Sequence, residues 1–108
     1  MTECFQIDRA DNVATLLGDA EESAEIVIRG DGSGTLRPTQ HIRAGHKIAV
    51  TPIPEGERVI KYGFPIGEAT QPIAQGEWVH LHNCRSLYDA RSSTLDIESG
   101  SPTETRYV

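Results

Sequence analysis

Apolar runs only a few residues long alternate with Gly, Pro and acidic positions through most of the chain, and one spacing recurs. Ile42-Arg43-Ala44-Gly45-His46-Lys47-Ile48, Ile53-Pro54-Glu55-Gly56-Glu57-Arg58-Val59 and Ile73-Ala74-Gln75-Gly76-Glu77-Trp78-Val79 all read Ile-x-x-Gly-x-x-Ile/Val. Such a unit predicts a short strand, a tight turn whose Gly supplies positive φ, and a returning β-branched residue. Pro52, Pro54, Pro65 and Pro72 interrupt any helix drawn across this region. The period is too short for a solenoid and suits a small, folded-over β structure. Further strands are predicted at Cys4–Ile7, Glu25–Arg29, Val59–Tyr62 and Trp78–His82, while Asn12–Leu17 reads as a strand or the start of a short helix. Gly30-Asp31-Gly32-Ser33-Gly34 is a turn before Thr35–Arg37. Along Trp78–His82 the two-residue period puts His80 and His82 on one face, with Val79 and Leu81 on the other. The class is mainly β, with a core expected from Ile48, Ile53, Val59, Ile60, Ile66, Ile73, Val79 and Leu81.

The 108 residues make one domain, and the hydrophobic share of 37% is depleted mostly after Cys84. A compact domain over residues 3–84 is therefore expected, followed by a polar tail at 85–108, flexible alone or ordered by a partner. The net charge of −6 argues against nucleic acid and against an anionic membrane surface. No signal peptide or apolar span is evident. The two cysteines, Cys4 and Cys84, read as reduced thiols of a cytoplasmic protein rather than a disulfide framework.

Chemistry concentrates on histidine. His46 follows the first turn glycine, and His80 and His82 lie in Val79-His80-Leu81-His82-Asn83. A pair two apart on a strand, joined by a third from a neighbouring hairpin, can bind a divalent cation or move protons near neutral pH. The alternative is a solvated strand edge. His41 stands outside these motifs and reads as ordinary. In Val59-Ile60-Lys61-Tyr62-Gly63-Phe64-Pro65-Ile66-Gly67, Lys61 can neutralise a carboxylate and Tyr62 can donate to an oxyanion. The plainer alternative is a strand ending in a Gly/Pro turn. The glycine-rich loop lacks the spacing and Lys-Ser/Thr of a phosphate loop, so no nucleotide cofactor is expected. Cys84 lies near His82 in sequence without an identifiable activating base.

Ala44-Gly45-His46-Lys47-Ile48-Ala49, the Val59–Gly67 segment and Trp78-Val79-His80-Leu81-His82-Asn83 together resemble the N-terminal region of the altronate and galactarate dehydratase family. Sulfolactate sulfo-lyase is similar. The resemblance implies an SAF-like β-clip domain, found fused to a large catalytic domain or as a separate small subunit, and the chain length suits the latter. It implies a carbon–oxygen lyase that removes water from a sugar acid to leave a 2-keto-3-deoxy acid. Activity is then expected only with a large dehydratase subunit. His46, His80 and His82 would face the substrate or a divalent metal (Fe²⁺, Mn²⁺, Zn²⁺ or Mg²⁺), with Lys47, Lys61 and Tyr62 as further candidates. The rival class is a non-catalytic SAF module that binds carbohydrate or a partner.

Overall fold

The computed structural model describes residues 2–87. Its nine elements are all β-strands: β1 (Glu3–Gln6), β2 (Val13–Leu16), β3 (Ile26–Gly30), β4 (Thr35–Leu36), β5 (Lys47–Ala49), β6 (Arg58–Lys61), β7 (Phe64–Ala69), β8 (Trp78–Val79) and β9 (Cys84–Ser86). They form a six-stranded sheet in the order β4-β3-β1-β2-β5-β8 and a three-stranded sheet in the order β6-β7-β9. Only the β1–β3 pairing is parallel. The mainly-β expectation holds, and Asn12–Leu17 resolves to a strand.

Two apolar clusters lie on either side of the middle of the larger sheet. Ala14, Leu16 and Ile48 join Cys4, Ile26, Ile28, Leu36 and Ile42 in one, with Trp78 packed against it. Val13, Ala49 and Val79 turn the other way, towards Val59, Ala69, Ile73 and Cys84. Strands β2 and β5 are thus covered on both faces, which favours unbroken apolar runs over alternation. Of the expected core, Ile48, Ile53, Val59, Ile73 and Val79 are buried, and Ile60 and Ile66 are partly so. Leu81 is not core: it is 53% exposed.

The sequence repeat is a structural repeat. Its leading isoleucines form bridges, Ile42 with Ala20 and Ile53 with Ile73. Each turn closes with an i to i+3 hydrogen bond: His46 N to Arg43 O at 3.3 Å, Glu57 N to Pro54 O at 3.0 Å, and Glu77 N to Ala74 O at 3.1 Å. Gly45 and Gly56 have φ of 88° and Gly76 has φ of 87°, the region where a Cβ is penalised. In each turn the glycine N–H donates outward over 2.8 Å, to Leu16 O, Ala69 O and Ala49 O respectively. One local motif is therefore used three times to fasten a new strand onto existing backbone.

Two boundaries need correcting. The strand predicted over Trp78–His82 stops at Val79, and residues 81–83 form a turn. At the other end β9 continues to Ser86, so a domain limit at residue 84 would cut a strand. From residue 88 onward the expected flexible tail lies outside the described residues.

Candidate functional site

Pairing of β5 with β8 brings together residues thirty or more positions apart. Ile48 sits opposite Trp78, and Lys47 opposite Val79. His46, just before β5, and His80, just after β8, therefore meet at the sheet edge. Trp78 Nε1 donates to His46 Nδ1 at 3.2 Å, which leaves the other nitrogen of neutral His46, Nε2, carrying the proton. His80 stacks on Trp78 with centroids 5.1 Å apart and an interplanar angle of 10°. The His46 and His80 centroids are 5.5 Å apart, edge to face, and His82 tilts against the indole at 4.8 Å. All three sequence-selected histidines thus gather around one tryptophan.

His80 and His82 do not reach this arrangement by sharing a strand face. Asn83, fully buried, ends the strand by imitating backbone. Its Oδ1 accepts from His80 N at 3.0 Å, and its Nδ2 donates to Trp78 O at 2.8 Å and to Glu77 Oε2 at 3.4 Å. A further bond from Asn83 N to His80 O at 3.1 Å closes the turn. A short amide side chain competing for backbone groups is a common way to stop a strand.

On the other side of β5, Lys47 shares the face of Ala49 and is only 4% exposed. It borders a small cavity with Ile66, His80, Leu81, Cys84 and Ser86, whose free volume of about 20 Å³ suits a single water. Burial, reinforced by the nearby Lys61 charge and opposed by Cys84, lowers the Lys47 pKa to about 8. Burial also lowers that of His80, with Lys47, His46 and His82 adding to the effect. His80 is therefore a neutral imidazole at neutral pH. Burial raises the Cys84 pKa, against the influence of Lys47 and a backbone hydrogen bond at Glu68, and that of Cys4 rises to about 11. Both cysteines are free and buried, and neither is an activated thiolate.

Lys61 and Tyr62 occupy the tip of the β6–β7 hairpin. Lys61 Nζ lies 4.9 Å from the Tyr62 ring centroid. Tyr62 has φ of 60° and Gly63 φ of 75°, as a two-residue hairpin turn requires. The buried Asp11 carboxylate secures this turn, accepting from Tyr62 N at 3.1 Å and Gly63 N at 2.8 Å. Among the described residues no hydrogen bond or ring contact joins Lys61 or Tyr62 to the histidines, and Tyr62 is exposed.

A second, larger cleft of about 200 Å³ is lined by His41, Ile42, Arg43, His46 and Trp78. Sequence reading set His41 aside and selected neither Arg43 nor Trp78 as a site residue. The available signal was the repeat itself, in which only the first unit carries a cation and a histidine around its glycine and only the third carries a tryptophan. Among the described residues no three His, Cys, Asp or Glu side chains are grouped so as to hold a metal ion. The indole packs among the imidazoles, so these residues do not by themselves complete a cation site. No described helix is long and apolar enough to cross a membrane.

Comparison with known proteins covers nearly the whole described region. The altronate/galactarate dehydratase SAF domain matches residues 2–87. Altronate dehydratase from Escherichia coli (strain K12) is 46% identical over 82 residues, spanning 76% of this chain and 16% of that enzyme. Altronate dehydratase from Bacillus subtilis (strain 168) is 36% identical over 86 residues, spanning 80% and 17%. The chain thus covers about one-sixth of these enzymes. In contrast, the (2R)-sulfolactate sulfo-lyase subunit alpha of Paracoccus pantotrophus is 36% identical over 61 residues, which are 56% of this chain and 91% of that subunit. With its three glycine-turned units and its histidines gathered on Trp78, the chain belongs to the SAF-domain family of the altronate and galactarate dehydratases.

Proposed function

We propose that this domain is the small-subunit part of a hydroxy-acid lyase: with a large dehydratase chain, it helps remove water from an aldonate or aldarate to give a 2-keto-3-deoxy acid. The observation carrying this reading is the His46–Trp78–His80–His82 cluster at an open sheet edge. Elimination needs a base for the proton α to the carboxylate and a donor for the departing β-hydroxyl. His80, kept neutral by burial and by neighbouring positive charge, is assigned as the base. His46 offers its Nε2–H to the departing hydroxyl, because Nδ1 is taken by Trp78. The electron pair of the broken C–H bond forms the C=C bond of the enol, and the hydroxyl leaves as water with the proton that His80 removed, while His46 Nε2–H hydrogen-bonds it and stays neutral. The enol then ketonises.

A two-part enzyme is supported by similarity that runs over 91% of a protein named as a lyase subunit alpha. A divalent metal stays part of the family expectation, but it would need donors from substrate oxygens or from the larger chain. No step above depends on it. Two buried free thiols suit a reducing compartment, so the cytoplasm is the proposed location.

The test is reconstitution. The chain, a large dehydratase chain, and the two together are each supplied with sugar acids while keto-acid formation is followed. Turnover is expected only from the combination, and His80→Ala should lower kcat roughly 10²–10⁴-fold with little change in melting temperature. Full turnover by the large chain alone would sink the proposal. Unchanged turnover with all three histidines replaced would leave a binding module instead.

A further inference from the structure

The cleft beside the histidine cluster shares His46 and Trp78 with it, but its Arg43 has no part in the elimination chemistry, and its lining runs against the character of the chain. The protein carries a net charge of −6, yet the cleft is walled by Arg43, His41, His46, Ile42 and the Trp78 ring, without a carboxylate among them. Two acidic groups beside the lining residues are engaged: Glu21 Oε2 lies 3.2 Å from His41 Nδ1, and Asp19 Oδ1 accepts from Ala44 N at 2.9 Å. Arg43 has no ion pair among the described residues. Its planar fork is the side chain best matched to a carboxylate. The indole beside it offers an apolar surface to the C–H groups of a polyol.

Size narrows the choice further. At about 200 Å³ the cleft is smaller than the roughly 300–1,000 Å³ of sites that enclose a whole small molecule. It can take one end of an extended ligand and leave the remainder outside. Trp78 belongs both to this cleft and to the stack with His80, so a chain anchored here would run along the indole towards the histidines.

We propose that this cleft is the carboxylate subsite for the polyhydroxy acid, with Arg43 as the cationic anchor and Trp78 as the platform for the adjoining carbons. The proposal rests on the hydroxy-acid lyase reading and adds to it the end of the substrate that this domain holds. It makes Arg43, a residue outside the histidine motifs, a determinant of acid over neutral sugar.

Trp78 is the only tryptophan of the chain, so intrinsic fluorescence reports on the cleft directly. The full-length chain is titrated with gluconate, with sorbitol as a neutral polyol of equal carbon number, and with inorganic phosphate, ionic strength being balanced by chloride. A saturable change in emission is expected with gluconate, with little from sorbitol or phosphate. Arg43→Gln should weaken the gluconate response at least about tenfold, Arg43→Lys should recover part of it, and Arg9→Gln, outside the cleft, should titrate like wild type. Circular dichroism establishes that each variant is folded. No saturable gluconate response, an unchanged response in Arg43→Gln, or phosphate binding as tightly as gluconate would each overturn the subsite. The two proposals fail separately. Histidine-dependent turnover combined with an unaltered Arg43→Gln variant removes only the subsite. Arg43-dependent binding of gluconate by a chain that supports no turnover removes only the lyase reading.

Discussion

Replacing Asn83 by Ala tests whether one buried amide holds the histidine turn in place. The side chain is fully buried and makes bonds of 3.0, 2.8 and 3.4 Å to His80 N, Trp78 O and Glu77 Oε2. Two of these are well formed, each contributing about 0.5–1.5 kcal/mol net, and truncation also strips partners from buried backbone groups. With the small void added, the cost should be about 2–4 kcal/mol. For a domain of this size that lowers the melting temperature by roughly 10–25 °C. Trp78 emission should shift at temperatures where the variant is still folded, because the indole and His80 are the groups released. Asn83→Asp supplies a sharper control. It keeps an acceptor for His80 N but turns a donor into an acceptor against Trp78 O, beside the Glu77 carboxylate. The introduced acid must therefore be protonated to fit, and its folded pKa is raised. Its deficit should be smallest at acid pH and widen as pH rises through that pKa. Thermal melts of wild type, Asn83→Ala and the exposed-site control Thr51→Ala decide the matter. An Asn83→Ala melt within about 0.5 kcal/mol of wild type, the range of ordinary surface substitutions, would refute the reasoning.

The Lys47 pKa, lowered to about 8 by burial, makes its contribution to stability depend on pH. Folded Lys47 binds fewer protons than the unfolded lysine between pH 8 and the normal lysine range, so this group adds stability as pH rises across that window. Both cysteines oppose the trend above pH 9, so the comparison must be with Lys47→Met, in which the Cys4 contribution cancels and that of Cys84 changes only by the lost influence of Lys47. From pH 7 to pH 9 wild type should gain roughly 1 kcal/mol relative to Lys47→Met in urea unfolding; a flat difference would contradict a buried, displaced lysine. The repeat yields a second comparison. A Cβ at Gly56 meets nothing within 4 Å, whereas one at Gly76 collides with Arg37 O. Gly56→Ala should cost about 1–2 kcal/mol from positive φ alone, and Gly76→Ala distinctly more; equal losses would show that backbone strain is the whole effect.

The repeated units were legible because three glycines at one spacing leave few alternatives, and each has the positive φ that the pattern demands. Trp78–His82 misled for an equally physical reason. Its alternation of aromatic and aliphatic residues satisfies a strand template, but Asn83 lies outside the template and takes the backbone partners that would have extended the strand. Leu81, assigned to the core by parity, then emerges at the surface. Lys47 was hard to place as a buried group because a lysine in a strand normally faces water. Here both faces of β5 are covered, and no local pattern reports that. Arg43 and His41 met Trp78 only through the β5–β8 pairing, a contact between distant segments.

Under the proposed function, the position of β8 accounts for the need of a second chain. It is the last strand of the six-stranded sheet and only two residues long. A short edge strand discourages unwanted pairing with other sheets, and among the described residues no further strand pairs beyond it beside the stacked rings. Elimination α to a carboxylate benefits from a dry, charge-stabilised site, yet His80 and His82 are flanked by Leu81, an aliphatic side chain that is 53% exposed. An apolar residue at the rim of a polar cluster is a natural contact for a second wall that excludes water. Under the proposed function the large chain would close this edge, covering Leu81 and bringing the remaining substrate contacts. The small domain would contribute a neutral base, a fixed donor and a cationic anchor, held in the turns that flank β5 and β8.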